Sequence, residues 1–322
     1  MHAPTIEEIE AARTLLGDAV VTTPVVRWPR DDRFAGGTEA FVKLELFQVT
    51  GTFKARGALM NVKALDAAAL RRGITAVSAG NHAIAAAYAA RVAGTTAKVV
   101  MIHSANPVRV QRCRELGAEL VMADDAHAAF ELAHDIEREE GRALIHPFEG
   151  RNTVLGTATV GLELARQVEN LDAVIVPVGG GGLCAGVALA HKLLHPSCAV
   201  FGVEPAGADS MSRSFKAGEP QTIERVDTIA DSLGAPYAAP YSFEICRANV
   251  DGLVTVSDDE LKASMRLIFD DLKLAVEPAC AASTAALRGP LAERLAGKRV
   301  ALIACGSNID RDSYFALTSC RG

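Results

Sequence analysis

Apolar positions along this chain fall in short blocks that alternate between the period of a strand and that of a helix. Thr5-Ile6-Glu7-Glu8 is a capping box that opens a helix through about Leu16. Past the break at Gly36-Gly37, residues 40–46 read as a strand. Alternation then becomes regular: strand at Ala76-Val77, alanine-rich helix over 81–93, strand over 97–102, helix over 107–116 with proline in its first turn, strand over 119–122, helix over 126–139. The second half repeats the rhythm. A helix over 154–167 precedes an apolar strand over 173–178, and a glycine run leads into a helix from about Leu183. A strand over 199–204 follows, and a second capping box at Ser257-Asp258-Asp259-Glu260 opens a helix to about Leu272. A last buried strand covers 300–304. This βαβ order predicts an α/β protein with parallel-rich sheets flanked by helices. The polar stretch 146–152 reads as a crossing between two lobes, a smaller one over 48–150 and a larger one built from 1–47 and 151–322. The site is expected between them, at the carboxyl ends of the strands.

Composition narrows the class. The chain has 322 residues, 49% hydrophobic and 5% aromatic, which suits a soluble two-lobed α/β protein. A formal charge of −6 offers no basic face for nucleic acid or an anionic membrane. No apolar run approaches transmembrane length, and no signal-peptide core precedes Glu7-Glu8. The seven cysteines (113, 184, 198, 246, 280, 305, 320) are odd in number and form no Cys-x-x-Cys pair, as expected of a reduced cytoplasmic protein.

Candidate chemistry centres on Lys54, in the run Thr50-Gly51-Thr52-Phe53-Lys54-Ala55-Arg56-Gly57-Ala58. A lone lysine is most often a solvated surface residue. Two further segments change that balance: Ser78-Ala79-Gly80-Asn81-His82, and the run Gly179, Gly180, Gly181, Gly182, Leu183. An amine near an anion-binding glycine loop is what pyridoxal 5'-phosphate requires. The amine forms a Schiff base with the cofactor aldehyde, and backbone N–H groups at a helix start hold its phosphate. The glycine run alone also meets the loose dinucleotide pattern, Gly180-x-Gly182-x-x-Ala185, with Glu204 near the distance of a ribose-binding acid. On this segment the two ligands stand level, beside a plain glycine-rich turn. The mid-chain position and the Lys54 motif, which has no role in a nicotinamide-dependent oxidoreductase, favour the phosphate.

The chain resembles the fold-type II pyridoxal phosphate enzymes (tryptophan synthase β-like), specifically the threonine/serine dehydratase and serine racemase group. The likeness rests on seven segments in order: the run from Lys43 through Lys54 to Ala58, Ser78 to Ala83, His146-Pro147-Phe148, Gly179 to Leu183, Gly202-Val203-Glu204-Pro205, Glu277-Pro278-Ala279, and Cys305-Gly306-Ser307-Asn308. The resemblance implies roles for matching positions. Lys54 would carry the cofactor and take the α-proton, and Phe53 would pack on the ring. Asn81 would bond the phenolic oxygen, Gly179 to Leu183 would hold the phosphate, and Cys305 would face the pyridine nitrogen. Ser78, Ala79, Gly80, Asn81 and His82 would bind the substrate carboxylate. For the His82 ring, a carboxylate neighbour and a helix-start residue satisfied by backbone stand level. A thiol at Cys305 is a weak donor, so the electron sink is modest; elimination tolerates this because charge departs with the leaving group.

Ala79 stands where racemases of this group carry a serine that protonates the opposite face. The resemblance therefore implies a dehydratase (ammonia-lyase) that converts a threonine- or serine-like β-hydroxy amino acid to a 2-oxo acid and ammonia. Amino-acid racemase is the alternative within the family, and an oxidoreductase the alternative outside it. Several departures suggest a reshaped pocket: Ile84-Ala85, Gly156-Thr157-Ala158-Thr159, and Cys280 after Ala279. The stretch 124–130 has no arginine to read a second carboxylate, against a hydroxyaspartate substrate. At the cation site known in relatives, Ser210 replaces an aspartate, so no metal is expected. The chain ends soon after Asn308, without room for a regulatory domain, and a homodimer or homotetramer is implied.

Overall fold

Residues 2–103 and 105–319 are described by the computed structural model. They form ten strands: β1 (Val25–Arg27), β2 (Glu39–Lys43), β3 (Ile74–Val77), β4 (Ala97–Ile102), β5 (Glu119–Ala123), β6 (Ala143–Leu144), β7 (Ala173–Pro177), β8 (Ala199–Pro205), β9 (Gly252–Val256) and β10 (Arg299–Ile303). Six make one sheet in the order β1-β2-β10-β7-β8-β9, parallel except for the edge pair β1 and β2. Four make a second, all-parallel sheet in the order β5-β4-β3-β6. The second sheet draws only on residues 74–144, and the first only on strands outside that span. β10 inserts between β2 and β7, so the two ends of the chain meet in one sheet.

Local signals account for much of this. Both capping boxes form, Thr5 with Glu8 and Ser257 with Glu260. β7 is buried at every position, as its apolar run requires of a central parallel strand. The strand expected over 40–46 stops at Lys43, and Glu45–Phe47 is a 3-10 turn instead. The Glu45 carboxylate turns inward to Arg56, at 2.9 and 2.8 Å, which ends the strand. The run around Lys54 reads as a motif without a period, yet Lys54–Lys63 is a helix. The edge strands β1 and β9 and the helices Ser210–Ala217, Pro240–Asn249 and Pro278–Arg288 also have no counterpart in the sequence reading. Six cysteines are buried and free of disulfides; Cys320 lies outside the described residues.

Three helices behind the glycine run pack at very close range. A Cβ on Gly156, in the Arg151–Gln167 helix, would sit 2.4 Å from the Arg56 carbonyl oxygen. One on Gly186, in the Gly182–Leu194 helix, would sit 2.2 Å from Thr157 Oγ1. Thr157 Oγ1 lies 2.7 Å from the Gly182 carbonyl, which ties the middle helix to the loop. Beneath these helices Arg56 is wholly buried. Besides Glu45 it reaches both oxygens of Glu163 at 2.8 Å, and Lys43 Nζ reaches Glu163 at 2.7 Å. This network fixes the helix that begins at Lys54.

Candidate active site

A cavity of about 300 Å³ opens at the carboxyl ends of strands from both sheets. Phe53, Lys54, Ser78, Ala79, Gly80, Asn81, His82, Gly179, Gly180, Gly181, Gly182, Leu183 and Cys305 all line it, so segments spread over 250 residues of chain converge. Lys54 is the first residue of its helix, and its Nζ donates to the Pro147 carbonyl at 2.6 Å. Burial pulls the amine down to about 8, with Cys305 and Glu277 opposing. The Phe53 ring centroid lies 5.2 Å from Nζ.

Two helix starts face the cavity, and neither has a side-chain cap. Gly80 precedes the Asn81–Val92 helix, and Gly181, at φ +92°, precedes the Gly182–Leu194 helix. Elsewhere carboxylates occupy such positions. Glu204 accepts from the Met211 and Ser212 amides, and Glu149 from the Tyr241 and Ser242 amides. Open helix starts hold anions through free N–H groups and the dipole. Two of them with one amine fit a ligand system of a phosphate, an aldehyde and a substrate carboxylate. The glycine loop is shaped by what lies against it: a Cβ on Gly180 would fall 2.2 Å from the Phe148 ring. The dinucleotide reading needs Glu204 for a ribose, but both of its oxygens are committed to the Ser210–Ala217 helix.

Asn81 is heavily engaged. Its Nδ2 donates to Glu277 Oε1 at 2.8 Å and Ser232 Oγ at 3.0 Å, and its Oδ1 accepts from Asn308 at 2.8 Å. Bonding a cofactor oxygen therefore requires exchange of a present partner. Ser78 Oγ accepts from the Gly80 amide at 3.0 Å. His82 Nε2 donates to the Ile145 carbonyl at 2.7 Å, and burial, then Lys54, lowers its pKa to about 3. The ring is neutral, with that nitrogen satisfied by backbone. The Cys305 thiol is raised well above its ordinary value by its bond to Cys280 and by burial, so it stays neutral.

Other cavity residues were not assigned from sequence. Burial pushes the Glu277 carboxyl up to about 7 against the pull of Arg109; its Oε2 has no hydrogen-bond partner and lies 3.9 Å from Arg109 Nη2. Arg109 also holds Asp231 and donates to the Asn308 carbonyl at 3.0 Å. His146 Nδ1 accepts from the Phe148 and Glu149 amides, so Nε2 carries the proton toward Tyr237 Oη at 3.2 Å. Nothing local in the sequence marks Arg109 or Asp231. The Glu277 and His146 segments carry a signal only as family motifs.

With this geometry in place, the comparisons are specific. The model of the family described as "Pyridoxal-phosphate dependent enzyme" matches residues 16–306, and the chain belongs to that family. Its cofactor is pyridoxal 5'-phosphate. Phenylserine dehydratase of Ralstonia pickettii is 55% identical over 97% of this chain and 95% of its own. L-threo-3-hydroxyaspartate ammonia-lyase of Saccharomyces cerevisiae is 36% identical over 99% and 98%. The solved structure of maize serine racemase superposes with a TM-score of 0.93 at 33% identity, covering 98% of this chain and 97% of that one. The α/β architecture is thus that of the fold-type II enzymes. Among the described residues no helix is long and apolar enough to cross a membrane.

Proposed function

We propose that this chain is an ammonia-lyase that dehydrates a β-hydroxy α-amino acid, with phenylserine the first substrate to try. One observation carries the reading: a buried amine with a lowered pKa, Lys54, shares a cavity with two uncapped helix starts, and the loop at one of them holds Ala79. The Gly179–Leu183 segment holds the cofactor phosphate. Phe53 and Cys305 flank the ring, and Asn81 exchanges a present partner for the ring oxygen. The bound cofactor supplies an electron sink for the pair left when the substrate α-proton departs. The loop of Ser78, Ala79, Gly80, Asn81 and His82 places the substrate carboxylate at the start of the Asn81–Val92 helix. Lys54, after yielding the cofactor to the substrate amine, takes the α-proton from one side. Ala79 has no proton to return on the other, so loss of the β-hydroxyl prevails over inversion. Phenylserine gives phenylpyruvate and ammonia, with the water lost in elimination regained in hydrolysis.

The 55% identical phenylserine dehydratase supports this choice of substrate. The similarity to maize serine racemase keeps racemisation as the second reading. We place residues 48–150 as the smaller, mobile domain, supported by its separate sheet, and the rest as the larger. We also expect a cytoplasmic homodimer or homotetramer, which the buried free thiols and the family resemblance support. The test is holoenzyme with L-phenylserine, read by phenylpyruvate, ammonia and chiral chromatography. Equimolar oxo acid and ammonia are expected. Conversion to the D-isomer without ammonia favours the racemase.

A further inference from the structure

The cavity has an arm that the residues assigned above leave unexplained. Val77, Val100, Ile102, Ala129 and Phe130 line it, and every one is apolar. Val77, at the end of β3, pairs in register with Val100 of β4, and Ile102 lies two positions further on the same side of that strand. Ala129 and Phe130 come from the first turn of the Ala126–Glu140 helix, packed over this sheet. These residues belong to a small apolar cluster separate from the main core, and Phe130 and Ile102 are only partly buried in it. The arm is therefore the place where that cluster opens to the cavity.

Its position relative to the carboxylate loop matters. Val77 immediately precedes Ser78, so the arm begins where the loop begins. A substrate Cβ is two bonds from its carboxylate carbon, which puts a β-substituent within reach of these side chains. The charged and imidazole groups of the cavity are Lys54, His82, Arg109, His146, Asp231 and Glu277. The single guanidinium among them, Arg109, is already held by Asp231 and the Asn308 carbonyl. The arm thus offers contact surface to an apolar group and no free cation to a second carboxylate.

We propose that this arm is a subsite for an aryl β-substituent, and that Phe130 is its specificity-determining wall. The proposal rests on the carboxylate placement made above. An aromatic ring set edge-on or offset against Phe130 leaves water, whereas the methyl of threonine fills little of the arm. A substrate with a β-carboxylate would bury a charge without a partner.

The test compares wild-type, Phe130→Ala and Phe130→Arg holoenzymes on phenylserine, threonine and threo-3-hydroxyaspartate. Calorimetric binding of L-phenylalanine, which has the ring and no hydroxyl to lose, is measured alongside. Wild type is expected to prefer phenylserine. The phenylserine-to-threonine ratio of kcat/KM should fall about tenfold or more in Phe130→Ala and about 100-fold in Phe130→Arg, the range expected when a hydrophobic pocket contact is lost. Phenylalanine binding should weaken in step, and hydroxyaspartate should gain in the arginine variant. Unchanged ratios and unchanged phenylalanine binding overturn the subsite. Wild type that releases oxo acid from threonine and not from phenylserine also overturns it, leaving the elimination chemistry intact. Phenylalanine binding that depends on Phe130, with no oxo acid from any substrate, supports the subsite and sinks the ammonia-lyase reading.

Discussion

Lys54 and Arg56 stand two residues apart on one helix, both cations reach into the protein, and their surroundings treat them in opposite ways. Arg56 meets two carboxylates, Glu45 and Glu163, through five hydrogen bonds with the Thr159 hydroxyl included. Burial alone would push it down, but the two glutamates outweigh this and hold the guanidinium above its ordinary value. Lys54 has a single carbonyl at 2.6 Å and no carboxylate within bonding distance, and burial brings it down to about 8. The contrast teaches that burial by itself does not make a charged residue structural or chemical. Saturation by partners does: the satisfied cation locks the helix, and the unsatisfied one is left able to lose its proton and form a bond.

Lys54→Ala tests the chemical side with the largest expected effect. Elimination should fall at least about 10³-fold, the scale lost with a positioned base, and the bound cofactor's visible absorbance should change. The apoprotein should unfold in urea within about 1 kcal/mol of wild type, since no partner loses its charge pair. Arg56→Met should do the reverse. It leaves Glu45 and Glu163 short of a partner, and urea unfolding should show a loss of about 3–5 kcal/mol. Equal destabilisation by the two substitutions would break the comparison.

The amine itself gives a pH test. Its pKa is about 8 in the folded chain against 10.5 for an ordinary lysine. Capture of pyridoxal phosphate by apoprotein should speed up from pH 7 and level off above pH 8. Stability follows the same sign. Between about 8 and 10.5 the unfolded chain holds a proton that the folded chain has released, so this group makes apoprotein more stable as pH rises. The slope difference between wild type and Lys54→Met isolates it. A flat difference means the amine is not depressed. The smallest effect is expected from Ala79→Ser, which should keep oxo acid release and add a minor D-isomer product detectable by chiral chromatography. No D-isomer at all would remove Ala79 from the account of reaction choice.

What the sequence made legible was local. Capping boxes, the proline-led helix and the apolar strands β4, β7 and β10 depend on neighbours a few residues away. The lysine run, the Ser78–His82 loop and the glycine run were readable as motifs, and they converge on one cavity. What was not legible depends on distant partners. The Arg109–Asp231 pair joins positions 122 apart, and Asn81 meets Asn308 across 227. The Lys54 contact is a backbone carbonyl, which no side-chain pattern announces. The Lys54–Lys63 helix was missed because Gly57 and polar residues blur its period, while its packing on Gly156 is tertiary. Phe130 showed in the sequence only as a missing arginine, and its place in an apolar arm required the fold.

The central claim is that Lys54 is the residue that bonds the cofactor. Borohydride reduction of the holoenzyme, followed by peptide mass mapping, tests it most directly. The account predicts a pyridoxyl adduct on the peptide containing Lys54 and no adduct after the same treatment of Lys54→Ala. An adduct on another lysine, or none on wild-type protein saturated with pyridoxal phosphate, would contradict it.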